Sequence, residues 1–188
     1  MPNHITNQIK FFGDPVDIHR ILTLIEGENR YIDFNKIIPM PDTVYGGELL
    51  STAERKMYGA NNWYDWRIAH WGTKWNAYST GYNADENVLT FDTAWSCPRP
   101  IISKLAKICA NFGVYFEGKW ADENCGFNVG EFVSDKEFGK CYYNFVEDAS
   151  QEAYSIYVEL KGESCAMHQD ENGNWIYHGC DNCPNPCC

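Results

Sequence analysis

Two short stretches of this chain repeat their apolar residues at helical spacing, and each lies between segments that read as strands. Ile18, Ile21, Leu22 and Ile25 fall three or four residues apart, which puts them on one face of a helix. Asp14 before Pro15 supplies a cap and a first-turn proline, and Gly27 supplies a stop. Ile101, Ile102, Leu105 and Ile108 repeat the pattern between Ser96-Cys97-Pro98 and Gly113. A helix with one apolar face must bury it, and strands on either side of each helix offer a sheet as the surface.

Extended segments are expected at 5–12, 31–38 and 114–120, with a hairpin pairing 75–80 and 88–91 around 83–87. Two further strands, 127–133 and 140–146, are joined by a polar turn. Residues 150–161 alternate like a strand yet also fit a helix started by Ser150 and stopped by Gly162; the helix is the reading adopted. Strand, helix, strand, then hairpin strands, helix and strand is read as the split β-α-β pattern of ferredoxin-like folds. The expected architecture is α+β: an antiparallel sheet with two helices on one face, extended by extra C-terminal strands and a helix. Residues 1–162 form this domain. A tryptophan-rich insertion at 42–74 carries only a short helix near 51–58, and 163–188 is a cysteine-rich tail with one extended piece at 175–177.

The chain has 188 residues, 44% apolar and 15% aromatic, enough for a packed core and too apolar for global disorder. No segment approaches the roughly 20 apolar residues of a membrane helix. The first residues lack a basic patch followed by an apolar run, so a cytoplasmic protein is expected. The net charge of −11 is uneven: residues 1–113 carry 11 basic and 12 acidic side chains, and residues 114–188 carry 4 and 14. Such a balance argues against duplex DNA as a partner, because phosphates are held by clustered Lys and Arg. Nine cysteines, an odd number, argue against a secreted disulfide framework. Cys97, Cys109, Cys125, Cys141 and Cys165 read as reduced thiols.

Four stretches resemble a known family. They are Met1-Pro2-Asn3-His4, Asp33-Phe34-Asn35-Lys36-Ile37-Ile38-Pro39-Met40-Pro41, the run Asn62-Trp63-Tyr64-Asp65-Trp66-Arg67 through Trp71-Gly72-Thr73-Lys74-Trp75-Asn76-Ala77, and Phe91-Asp92-Thr93-Ala94-Trp95-Ser96. Together they are similar to the YubB-like proteins of phages, plasmids and integrated mobile elements. The resemblance covers residues 1–125 well and 126–162 loosely. It implies a ferredoxin-like domain and a bacterial, mobile-element setting, and it carries no catalytic residues.

The strongest local anomaly is aromatic: Trp63, Trp66, Trp71 and Trp75 lie within 13 residues, with Tyr64 and Tyr78 nearby. Such rings either pin an irregular segment to the sheet or present a recognition surface, since Trp and Tyr dominate binding hot spots. The expected binding set is Trp63, Tyr64, Trp66, Arg67, Trp71, Lys74 and Trp75. Trp75 is expected to face the core within a strand, and Trp63 and Trp66 to be partly exposed. An alternative is a hydrolase-type cleft built from Asp65, His70, Asp92, Asp122 and Glu123; a second is single-stranded nucleic-acid binding by sheet aromatics. In the tail, Cys180 and Cys183 with Cys187 and Cys188 are weak zinc candidates, because adjacent cysteines make a poor second ligand pair. No cofactor is expected. The expected function is that of a non-enzymatic module that binds a host or phage protein, with no membrane partner and an open oligomeric state.

Overall fold

A computed structural model describes residues 3–48, 51–59 and 61–179. Six strands form one antiparallel sheet. They are β1 (His4–Phe12), β2 (Tyr78–Asn83), β3 (Val88–Ala94), β4 (Tyr115–Asp122), β5 (Gly130–Ser134) and β6 (Cys141–Phe145), in the order β2-β3-β1-β4-β5-β6. The first four, with α1 (Pro15–Ile25) and α5 (Arg99–Ala110), reproduce the ferredoxin-like β-α-β-β-α-β order. The extra strands β5 and β6 lengthen the sheet beyond β4, as expected.

Strand alternation divides the sheet into two faces. Ile5, Ile9 and Phe11 of β1, Leu89 and Phe91 of β3 and Phe116 of β4 point to one side, where Ile18, Ile21, Ile25, Ile101, Ile102 and Leu105 cover them. Full burial of each such side chain is worth about 1.5–3 kcal/mol. Asp14 caps α1 as expected, accepting from the Val16 amide at 2.8 Å. Among the described residues the opposite face is covered at one end only, by α6 (Gln151–Lys161), whose Ala153 and Ile156 pack with Ala121, Val129 and Val146. Ser150 caps α6 and Gly162 ends it, which settles the strand-or-helix ambiguity. A small hairpin of β7 (Met167–Gln169) and β8 (Trp175–Tyr177) follows.

Three segments differ from expectation. Residues 31–38 form no strand: Asp33 caps a one-turn helix, α2 (Phe34–Ile37), by accepting from the Asn35 amide at 2.9 Å. The hairpin alone therefore supplies the second and third strands of the ferredoxin-like order. The irregular stretch beyond α3 (Thr52–Met57) contains a further helix, α4 (Trp63–Trp71). Asn62 caps it, accepting from the Asp65 amide at 3.0 Å, and Gly72 ends it with φ +78°. A Cβ at Gly72 would also meet Pro100 Cδ at 2.8 Å, so glycine is required there twice over. Finally, β2 starts at Tyr78, which leaves Trp75 in the connection before it.

Cys97, Cys109, Cys125 and Cys141 are free thiols, as expected. Cys165 is disulfide-bonded and so is not the reduced thiol anticipated. The tail cysteines Cys180, Cys183, Cys187 and Cys188 lie outside the described residues. Among the described residues no helix is long and apolar enough to cross a membrane.

Candidate functional site

The tryptophan-rich segment is sorted by its hydrogen bonds. Trp71 is fully buried, its indole N–H donating to the Ile38 carbonyl at 2.9 Å and its ring meeting Phe34 edge-on. Trp66 is only 9% exposed and packs edge-on against Trp71, with His70 stacked on it at 4.3 Å. These two rings anchor α4 to the core. Trp63 and Trp75 are half-buried. The expected division is thus reversed at two positions: Trp66, five residues from Trp71 and packed on it, faces inward, while Trp75, outside β2, escapes strand alternation.

The outward part of the segment is an aromatic bed holding cations. Thr73 Oγ donates to the Ala94 carbonyl at 2.8 Å and accepts from the Ala94 amide at 3.1 Å, and Ser96 Oγ donates to the Gly72 carbonyl. These bonds stitch the end of α4 to the end of β3 and bring Lys74 beside Trp95. The Lys74 ammonium lies over three rings, Trp75 at 4.9 Å, Trp95 at 5.3 Å and Tyr64 at 5.7 Å. The Arg67 guanidinium sits between Trp71 at 4.9 Å and Trp63 at 5.1 Å. Its Nε is buried and has no hydrogen-bond partner among the described residues, and desolvation pulls its pKa down. Neither cation has a carboxylate partner among the described residues. Cation–π contacts of this kind are worth about 0.5–2 kcal/mol each, more when desolvated.

Trp95 belongs to this patch and was not in the expected set. It is 40% exposed and adopts φ +72°, a conformation that a bulky residue rarely takes. Its amide donates to the Asn3 carbonyl at 2.9 Å, and its carbonyl accepts from Asn128 at 3.2 Å. Backbone of this kind costs on the order of 1–3 kcal/mol and persists only where the surroundings impose it. No periodic pattern signals it; its position just after β3, beside the long tryptophan motif, is the only trace in the sequence.

The expected carboxylate–histidine cleft is not assembled. Asp65 accepts from Asn62 Nδ2 at 2.7 Å, and His70 Nδ1 is 2.8 Å from the Trp66 carbonyl, both within α4. Asp92, Asp122 and Glu123 lie instead around Lys161, whose ammonium donates to Thr6 Oγ at 3.0 Å and to the His4 carbonyl. Burial lowers the Lys161 pKa, and the three carboxylates oppose that shift. Asp122 is itself satisfied by Asn3, Asn128 and the Asn124 amide. Among the described residues no three His, Cys, Asp or Glu side chains gather as metal ligands.

On the open face of the sheet a groove of about 460 Å³ is lined by Lys10, Glu117, Lys119, Glu131 and Tyr142, among others. Lys119 is engaged there with Glu159 at 2.6 Å and Glu131 at 3.8 Å. Phe12 and Tyr115 stack at 5.0 Å on the same face, with Lys10 5.8 Å from the Phe12 ring.

Residues 74–160 match the family model described as a ferredoxin-like domain in Api92-like protein. The match runs from Lys74 through the hairpin, α5 and β4 into α6, less than half of the chain, and agrees with the fold described above. No curated protein and no solved structure gives a significant match to the chain.

Proposed function

We propose that this chain is a non-enzymatic accessory protein of a mobile element, active in the cytoplasm, that binds a host or phage protein. The resemblance to YubB-like proteins supports the setting. The binding surface is the outward half of the tryptophan segment: Trp63, Tyr64, Arg67, Lys74 and Trp75, joined by Trp95 and held in place by Trp66 and Trp71. One observation carries the reading: the Lys74 ammonium rests on three partly exposed rings and has no carboxylate partner among the described residues. In a chain of net charge −11 this is a rare positive, aromatic surface. It suits an acidic peptide segment with apolar neighbours, since aromatic and Arg side chains dominate binding hot spots. Affinity capture from infected or plasmid-bearing cells, read by mass spectrometry, tests it. Proteins recovered by the wild type and lost with Lys74→Glu and Trp95→Gly support the reading; identical recovery by all three overturns it.

Single-stranded nucleic-acid binding is the second reading, favoured by the stacked Phe12 and Tyr115 rings beside Lys10. Glu117 and Glu131 on the same face oppose it by repelling phosphate. Fluorescence polarisation with labelled oligothymidine separates the two: a salt-sensitive rise that Phe12→Ala abolishes would favour the nucleic-acid reading.

A further inference from the structure

The two edges of the six-stranded sheet are finished differently. At the β2 edge the pairing with β3 shifts register between Tyr78 and Gly81, with Ser79 at φ +49°. The Thr80 hydroxyl there accepts from the Tyr31 amide at 3.1 Å. A bulge and a covering segment are the usual ways in which a sheet edge is closed to further pairing.

Among the described residues the β6 edge has neither. Its register with β5 is regular over all five residues. The Asp135 amide donates to the Lys140 carbonyl and the Val146 amide to the Val129 carbonyl, so even-numbered residues of β6 turn their backbone groups toward β5. Strand geometry then turns those of Cys141, Tyr143 and Phe145 outward. Among the described residues these three amides and three carbonyls have no hydrogen-bond partner. The strand reads Cys141-Tyr142-Tyr143-Asn144-Phe145 and contains no charge and no proline. Tyr142 is 56% exposed and Phe145 61%.

We infer that the β6 edge pairs with the β6 edge of a second copy of this chain, in antiparallel register about a two-fold axis at Tyr143. The register is self-complementary. With Tyr143 opposite its symmetry mate and Cys141 opposite Phe145, all three outward amides of each copy meet outward carbonyls of the other, and every free group on both edges is used. In this register Lys140 of each copy lies opposite Val146 of the other, so the two exposed lysines are kept apart, whereas a parallel pairing would set Lys140 against Lys140. The contact is narrow, below the ~1,200 Å² of stable complexes, so the dimer is reversible and forms with rising concentration.

Sedimentation equilibrium of the full chain, from about 10 μM to about 1 mM, is the test of this transient class of interface. The weight-average mass is expected to rise from 21.6 kDa toward twice that value. Amide exchange at Cys141, Tyr143 and Phe145 is expected to slow as the dimer fills, while the inward amides of Tyr142 and Asn144 stay protected throughout. The double variant Tyr142→Lys with Asn144→Lys changes two exposed side chains and sets lysines opposite each other across the axis, so it should remain at 21.6 kDa with an unchanged thermal midpoint. A wild-type chain that stays monomeric over the whole range overturns the inference. So does a dimer in which the three outward amides exchange at the monomer's rate, or one that the lysine variant leaves intact.

Discussion

Aromatic side chains are placed in two ways in this molecule. In the sheet and its covering helices, Phe11, Phe91 and Phe116 are buried because strand alternation turns them to the face that α1 and α5 cover. No polar contact is needed to aim them. Between α1 and β2 the rings are aimed by specific hydrogen bonds and caps. Trp71 reaches the Ile38 carbonyl, Trp63 donates to the Gly47 carbonyl at 3.0 Å, and Asn76 accepts from the amides of Phe34 and Ala77. Placement by period buries everything on one face. Placement by individual bonds permits one helix to send Trp66 and Trp71 inward and leave Trp63 and Arg67 toward the outside, and that arrangement suits a binding surface.

The largest expected effect would break this contrast at its inner side. Trp71→Ala should cost about 3–5 kcal/mol, as much as Phe91→Ala in the sheet and a large part of the ~5–15 kcal/mol of a typical domain. Chemical denaturation gives the value, and a loss near zero would mean that α4 is not part of the core. Thr73→Val comes next. It removes a buried hydroxyl that serves both the amide and the carbonyl of Ala94, so a loss of about 1–3 kcal/mol is expected, together with weaker partner capture as Lys74 loses its position beside Trp95. Trp63→Ala and Trp95→Gly should be smaller, within about 1 kcal/mol, the glycine also relieving the left-handed backbone at position 95.

Two titrations sharpen the comparison further. The Tyr78 phenol is pushed up to about 12, first by burial and then by Asp92 and Glu123. An unfolded tyrosine ionises near ~10, so between about 10 and 12 the unfolded chain releases a proton that the folded one keeps. Stability should therefore fall as pH rises through that window, and Tyr78→Phe should remove this part of the fall in alkaline melts. Burial likewise pushes the Cys109 thiol up to about 12 and Cys125 to about 11, so iodoacetamide at pH 8 should label neither at an appreciable rate in the native protein.

The periodic part of the fold was legible. The α1 and α5 stripes, the Asp14 cap and the strands β1, β3, β4, β5 and β6 all follow from spacing and turn residues. The helices α2 and α4 were not, although their caps stand in the sequence as Asp33 and as Asn62 with Asp65 three residues on. Short helices bury few residues, so period carries little weight there and the cap carries most of it; the density of Asn, Gly and Trp reads as loop. Of the expected binding residues, spacing within the motif located the segment, yet it did not divide inward from outward rings. That division depends on partners distant in the chain, Ile38 for Trp71 and Phe34 through Asn76, which no local pattern specifies. Trp95 joins the patch through a backbone conformation imposed by Asn3 and Asn128.

In the proposed function the outward rings serve a partner and the inward rings serve the fold. The most direct measurement is the thermal midpoint and the captured partner of one variant, Trp63→Ala with Trp95→Gly. A midpoint within a few degrees of the wild type is expected, as a summed loss of at most about 2 kcal/mol implies, with no partner recovered. A variant that unfolds as readily as Trp71→Ala, or one that stays folded and retains the partner, would contradict it.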